Sequence, residues 1–268
     1  MPLSKWQSKD ITMSLTTKSM KKIIIIGATS GIGRELAILY AKAGNRVGIT
    51  GRRQELLASL QKDFESPAFG ADINNQRTIE TACFDVRVSD SVLHLQSLIN
   101  KLGGLDLIIY NAGFGNPSPT VEWETDKKTV DINVNGFIEI VNWCFHYFVH
   151  QGWGHIAATS SIASNRGNSF APAYSASKAF ISCYLEGLYL KARRMKLPLY
   201  ITDIQPGFVK TKEINIKGQF WIVPLPKAAQ QIFDGIESKR FRVYVSKRWR
   251  LIAVMMRIVP RFIYAKFG

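Results

Sequence analysis

Cysteine is scarce. The chain has three (Cys83, Cys144, Cys183), an odd number, widely spaced and without a CxxC pair, so neither a disulfide framework nor a cysteine zinc site is indicated. Histidine is scarce too, and no HExxH occurs. His146 and His150 would share a helical face, but no acidic third ligand lies near them, so no metal is expected. No run approaches the ~18 apolar residues of a membrane-crossing helix. Runs such as Ile23–Ile26 and Leu251–Met256 are short, and the first twenty residues hold no segment of signal-peptide character. Asn-x-Ser/Thr sequons are absent, since Asn116-Pro117-Ser118 is disqualified by its proline. The simplest setting is a reducing, cytoplasmic one. Acidic residues are also few: 20 Asp and Glu against 35 Lys and Arg leave a net charge of +15, which favours an anionic partner. No nucleic-acid recognition motif accompanies that charge, so no specific nucleic-acid partner is expected.

Hydrophobic residues make up 46% of the 268, enough for a sizeable core. Residues 1–20 are polar and read as a flexible extension. From Lys21 onward strand and helix patterns alternate. Strands are expected at Ile23–Ile26, Arg46–Thr50, Thr78–Phe84, Leu105–Tyr110, Gly154–Thr159, Leu199–Ile204 and Phe241–Val245. Helices are expected over Arg34–Ala43, Gln54–Lys62, Ser89–Leu102, Thr125–Val149, Ala173–Arg194 and Lys227–Ser238, with residues 64–77 irregular. Alternation of this kind implies right-handed crossovers and a mostly parallel sheet with helices on both faces. The expectation is α/β: one doubly wound Rossmann-type domain over 21–245, followed by a basic amphipathic tail over 246–268.

The first strand runs into Gly27-Ala28-Thr29-Ser30-Gly31-Ile32-Gly33, which opens a helix. Glycines there permit a tight turn and close approach of a pyrophosphate, and the helix N-terminus offers free N–H groups. No Lys-Ser/Thr follows the last glycine, which excludes a Walker A loop. The second strand ends in Gly51-Arg52-Arg53 rather than in the carboxylate that binds a ribose 2′-hydroxyl. Two guanidinium groups suit a 2′-phosphate, so the cofactor expected is NADP(H). Asp85 ends the third strand and Asn111-Ala112-Gly113 the fourth, where an open α/β sheet places its ligand. Tyr174 and Lys178 lie four apart on one helical face. A neighbouring ammonium lowers a phenol's pKa, which would let the pair act as general acid or base. Ser160-Ser161 follows the fifth strand, within reach of the same edge.

Taken in order, these elements, with Asn133-Val134-Asn135-Gly136 and Pro206-Gly207, resemble the classical short-chain dehydrogenase/reductase (SDR) family over about residues 21–245. The resemblance implies roles. Tyr174 would give a proton to a carbonyl oxygen, Lys178 would lower the tyrosine's pKa and bind the nicotinamide ribose, and Ser161 rather than Ser160 would hold the substrate oxygen. Asn133 would support a water-linked proton relay. Thr29, Ser30, Gly31 and Ile32 belong to the phosphate turn. Asp85 would bond the adenine with Val86 beside it, and Asn111, Ala112 and Gly113 would line the adenosine-side ribose. Pro206 and Gly207, with Val209 and Thr211, would shape the nicotinamide pocket. The function implied is NADPH-dependent carbonyl reduction, or the matching alcohol oxidation. The alternatives are a membrane-peripheral 3-keto-lipid reductase and a non-catalytic NADP-binding regulator.

Substrate choice is expected in Phe114–Trp123, Asn165–Pro172 and Lys212–Pro226, whose Phe220-Trp221-Ile222-Val223-Pro224 favours an apolar small molecule. A homodimer or homotetramer through the two long helices is expected, on the apolar surface of Trp143, Phe145, Tyr147 and Phe148. Residues 239–268 hold nine Lys or Arg and no Asp or Glu. As a helix, this segment would place Arg250, Arg257 and Arg261 on one stripe, with Trp249 and Tyr264 at lipid headgroups, a peripheral contact at the inner membrane surface.

Overall fold

A computed structural model describes residues 20–65, 79–118, 120–211 and 220–266. Seven parallel strands form its central sheet: β1 (Lys22–Ile26), β2 (Arg46–Gly51), β3 (Ile79–Cys83), β4 (Leu107–Tyr110), β5 (Gly154–Thr159), β6 (Leu199–Pro206) and β9 (Arg242–Val245), in the order β3-β2-β1-β4-β5-β6-β9. The two-residue strands β7 (Val209–Lys210) and β8 (Val223–Pro224) pair apart from it. The chain order reverses between β1 and β4, which opens a crevice at their carboxyl ends.

The apolar run of β1 shows why the sheet is covered on both sides. Ile24 and Ile26 enter one core with α3 (Ser91–Leu102), α5 (Gly136–Gln151) and α6 (Pro172–Met195). Ile23 and Ile25 enter the other with α1 (Gly31–Lys42), α2 (Gln54–Glu65) and α7 (Leu225–Glu237). Alternate side chains leave a strand on opposite faces, so a strand buried on both reads as continuous isoleucine. Gly103 and Gly152 end α3 and α5 in left-handed conformation, the stop that glycine makes cheap.

The expected long helix Thr125–Val149 is three pieces: α4 (Trp123–Val130), a π-helical turn at Asp131–Asn135, and α5. A π turn leaves no sequence periodicity of its own, and it falls at a candidate functional residue, Asn133. Phe145 and Phe148 are buried in the domain's own core, so less of this helix is left to a partner than its composition suggests. The expected strand Thr78–Phe84 is described from Ile79, and of the segment 64–77, expected to be irregular, residues 64 and 65 belong to α2 while 66–77 lie outside the described residues.

Beyond β9 the chain forms α8 (Trp249–Ile258) and α9 (Arg261–Tyr264), folded back on the domain. Arg166 donates to the carbonyl of Met256 at 2.9 Å, Arg257 to Asn165 Oδ1 at 2.8 Å and the Tyr264 hydroxyl to the carbonyl of Gly167 at 2.8 Å. Trp249 is buried and Tyr264 half-buried. Both therefore correct the expectation of side chains at lipid headgroups: each finds apolar or hydrogen-bonding partners on its own domain. No helix among the described residues is long and apolar enough to cross a membrane.

Candidate active site

Pro172 starts α6, where a missing N–H costs nothing, and the first turns of that helix carry Tyr174 and Lys178 to the carboxyl edge of the sheet. Lys178 is buried. Its Nζ donates to the carbonyl of Thr159, the last residue of β5, at 2.8 Å, and lies 5.7 Å from the centre of the Tyr174 ring. Burial pulls the ammonium down from 10.5 to about 8, against the opposing charge of Asp203. Burial also raises the Tyr174 phenol, and a hydrogen bond with the Ser161 side chain only partly opposes it. Desolvation disfavours the phenolate, and the Lys178 ammonium, 5.7 Å from the ring centre, does not reverse it. The Tyr174 phenol therefore stays protonated.

The two serines after β5 divide. Ser160 Oγ turns inward, to the Asp203 carboxylate and to the carbonyl of Ile204 at 3.1 Å. Ser161 Oγ accepts from the N–H of Ala163 at 3.1 Å, capping the short 3₁₀ helix Ile162–Asn165, and meets Tyr174. Asn133 is fully buried. Its Oδ1 accepts from the N–H of Phe114 at 2.8 Å, and its Nδ2 donates to the carbonyl of Phe114 at 2.8 Å and to Ser177 Oγ at 2.9 Å. The side chain clamps the loop after β4 against α6. A methyl group on Gly113 would come within 3.3 Å of Lys178 Nζ and 3.6 Å of Asn133 Oδ1, so this glycine lets the two approach.

The glycine turn divides its labour in a way the sequence does not show. A Cβ on Gly27 would lie 2.7 Å from the backbone of Ala112, and one on Gly33 would lie 2.2 Å from the carbonyl of Gly27. These two pack strand, turn and helix together. A Cβ on Gly31, at φ +57°, would among the described residues touch only Thr211 Cγ2, at an ordinary contact distance of 3.8 Å. Ser30, preceding α1, makes no side-chain capping bond, so its helix N-terminus keeps donors free for an anion. Asn111 ties the floor, donating to the carbonyl of Gly27 at 3.2 Å and accepting from Thr159 Oγ1 at 3.0 Å. Arg53 donates to Thr29 Oγ1 at 2.8 Å and Ser30 Oγ at 3.2 Å. Arg52 lies 3.7 Å from Asp85 Oδ2, and both arginines are exposed. Val86 is buried against Gly136. Pro206 ends β6 opposite Val245, and Val209 lies in β7.

Three residues escaped sequence reasoning. Arg87 donates to both oxygens of Asp85, at 2.7 to 3.1 Å. Burial pushes that carboxyl up, but the bonds and charge of Arg87, helped by Arg52, hold it below its ordinary range. Asp85 is therefore engaged already by Arg87, whose only sequence signal is its place two residues on. Gly115 is the second: a Cβ there would strike Tyr174 Cδ2 at 2.3 Å. The third is Trp249, which the sequence suggested for lipid headgroups and not for this site. Its indole covers Gly207, where a Cβ would fall 2.1 Å from Nε1, and it packs with Phe208, Phe220 and Trp221. Of the three expected substrate segments, residues 119 and 212–219 lie outside the described residues.

The model of the short chain dehydrogenase family matches residues 21–219. An uncharacterized oxidoreductase of Myxococcus xanthus is 36% identical over 252 residues, covering 90% of this chain and 94% of that protein. Among solved structures, a short-chain dehydrogenase from Sphingobium yanoikuyae in complex with NADPH superposes with a TM-score of 0.73 at 16% identity, covering 90% of this chain and 97% of that one. The NADPH-dependent 3-quinuclidinone reductase of Rhodotorula rubra gives 0.64 at 25% identity, covering 78% and 82%.

Proposed function

The chain belongs to the short-chain dehydrogenase family of oxidoreductases, and from that premise we propose that it reduces a carbonyl group of a hydrophobic small molecule with NADPH. The observation that carries this reading is the cluster of Tyr174, Ser161 and the buried Lys178: a phenol kept protonated, beside a hydroxyl and with an ammonium 5.7 Å from its ring centre. An inert regulator has no need of that arrangement.

NADPH, when bound, supplies the hydride. The chain's own residues do the rest. The open turn at Gly31 and the free end of α1 fit a pyrophosphate. Thr29, Ser30 and Ile32 border that turn. Arg52 and Arg53 provide planar cationic donors for a 2′-phosphate. Asp85, Val86, Asn111, Ala112 and Gly113 form the adenosine side, and Pro206, Gly207, Val209 and Thr211 the nicotinamide side. Ser161 holds the substrate oxygen, and Tyr174 gives it a proton as the carbonyl carbon gains its hydride, so that C=O becomes CH–OH. Lys178 orients the ribose and restores the phenol, and Asn133 keeps the loop after β4 in register with α6. The aromatic wall of Phe208, Phe220, Trp221 and Trp249 favours an apolar substrate. Residues 21–245, roofed by Trp249 of α8, form the catalytic unit, and two or four copies associate through α5 and α6.

The test is NADPH oxidation over ketones of increasing chain length, in wild type and in Arg52→Ala/Arg53→Ala. Turnover should rise with apolar length. The double variant should lose about tenfold or more in kcat/KM with NADPH and little with NADH, on the scale of charge-assisted bonds. Equal or better use of NADH by the wild type overturns the cofactor assignment. No turnover with either cofactor overturns the enzyme reading.

A further inference from the structure

The tail helix α8 turns its apolar stripe outward. Trp249 and Ala253 are buried against the domain, and Met256 is half-buried beside them. On the opposite side stand Leu251, Val254, Met255 and Ile258, spaced i, i+3, i+4 and i+7, and Phe262 of α9 continues the row. Leu251, Ile258 and Phe262 are 72%, 74% and 72% exposed. A stripe of that regularity ordinarily faces a core. Six cations flank it (Lys247, Arg248, Arg250, Arg257, Arg261 and Lys266), all exposed, and residues 239–268 hold no Asp or Glu.

We propose that the outer face of α8 and α9 docks on an anionic lipid surface. Charge decides between the occupants. A second copy meeting this face about a two-fold axis would present the same patch. Its six cations would stand against these six with no acid to relieve them. A bilayer with acidic headgroups accepts the apolar stripe into its interface and the cations at its negative surface. Ten residues span only about 15 Å, so α8 lies in the surface rather than across it. The contacts that bind the tail to the domain place the docked face beside the reaction centre. Arg166 and Tyr264 join it to the segment after Ser161, and Trp249 covers Gly207.

The experiment is co-sedimentation of the full chain with phosphatidylcholine vesicles, with and without phosphatidylglycerol. It needs no turnover, so its outcome is separate from that of the reductase assay. The full chain should sediment with the anionic vesicles and be released as salt rises. Leu251→Ser/Ile258→Ser/Phe262→Ser and, separately, Arg250→Ser/Arg261→Ser/Lys266→Ser should each lower partitioning by about tenfold or more, with melting temperatures near wild type. Absence of vesicle binding by the full chain, or binding by both triple variants equal to that of the wild type, overturns the proposal. So does a dimer in sedimentation velocity that only the apolar variant loses, with no vesicle bound: a second copy then covers the face.

Discussion

The proposed chemistry rests chiefly on two side chains, Tyr174 and Lys178. In Tyr174→Phe the ring keeps its place against Gly115 and only the proton donor is lost. Single-turnover reduction should fall by about a hundredfold or more, the scale of general acid catalysis, while NADPH binding by fluorescence stays within a few-fold. Retained turnover within tenfold, by the same measure, would move the donor elsewhere. Lys178 makes a prediction about stability. Its amine is pulled from 10.5 in the unfolded chain to about 8 in the folded one. Between those values the unfolded chain binds more protons, so folding gains stability as pH rises. Below about pH 8 the buried ammonium costs its full penalty, of order 3 kcal/mol. Urea unfolding at stepped pH should show wild type gaining on Lys178→Met from about pH 8 to 10.5. Parallel curves for the two proteins would mean that the amine is solvated.

At the scale of elements, the turn between β1 and α1 separates packing from binding. Gly33→Ala drives a methyl group into the carbonyl of Gly27, a backbone atom that cannot swing aside. Overpacking of that kind costs about 1–3 kcal/mol. Gly31→Ala meets no clash among the described residues and pays for left-handed backbone, roughly 1 kcal/mol. Melting without cofactor should therefore drop more for Gly33→Ala. Loss of NADPH affinity beyond its stability cost should be larger for Gly31→Ala, where a methyl group enters the space facing the cleft. The reverse order would exchange their assignments. A second element-level feature lies in β6. Asp203 is fully buried and receives Ser182 at 2.7 Å, Gln205 at 2.7 Å, Arg242 at 3.2 Å and the Ser160 hydroxyl. This network links β5, α6, β6 and β9 directly behind Ser161, and it explains why two adjacent serines point in opposite directions.

For the whole molecule, the sheet was legible because parallel strands buried on both faces write themselves as runs such as Ile23–Ile26, and because Gly, Pro and the SDR-like motifs sit at fixed places along it. Candidate residues at strand ends and on α6 were legible for the same reason. The π turn at Asp131–Asn135, the pairing of Arg87 with Asp85 and the contact of Gly115 with Tyr174 were not, since each depends on long-range geometry or a local irregularity without a period. The docking of the tail was not legible either: its composition reads as an amphipathic segment, and only the fold shows that Trp249 and Ala253 are buried against the domain and that the indole roofs Gly207. A chain ending at Val245 would uncover Gly207 and Phe208 and remove the partners of Arg166, Asn165 and the Gly167 carbonyl. Losing one buried tryptophan alone costs about 3–5 kcal/mol. The truncated chain should melt well below the full chain and show weakened kcat/KM toward soluble ketones as well as lost vesicle binding. Leu251→Ser/Ile258→Ser/Phe262→Ser should lose only the last. If the truncated chain kept full stability and turnover, the tail would be an appendage, and the wall beside Gly207 would have to be assigned to other residues.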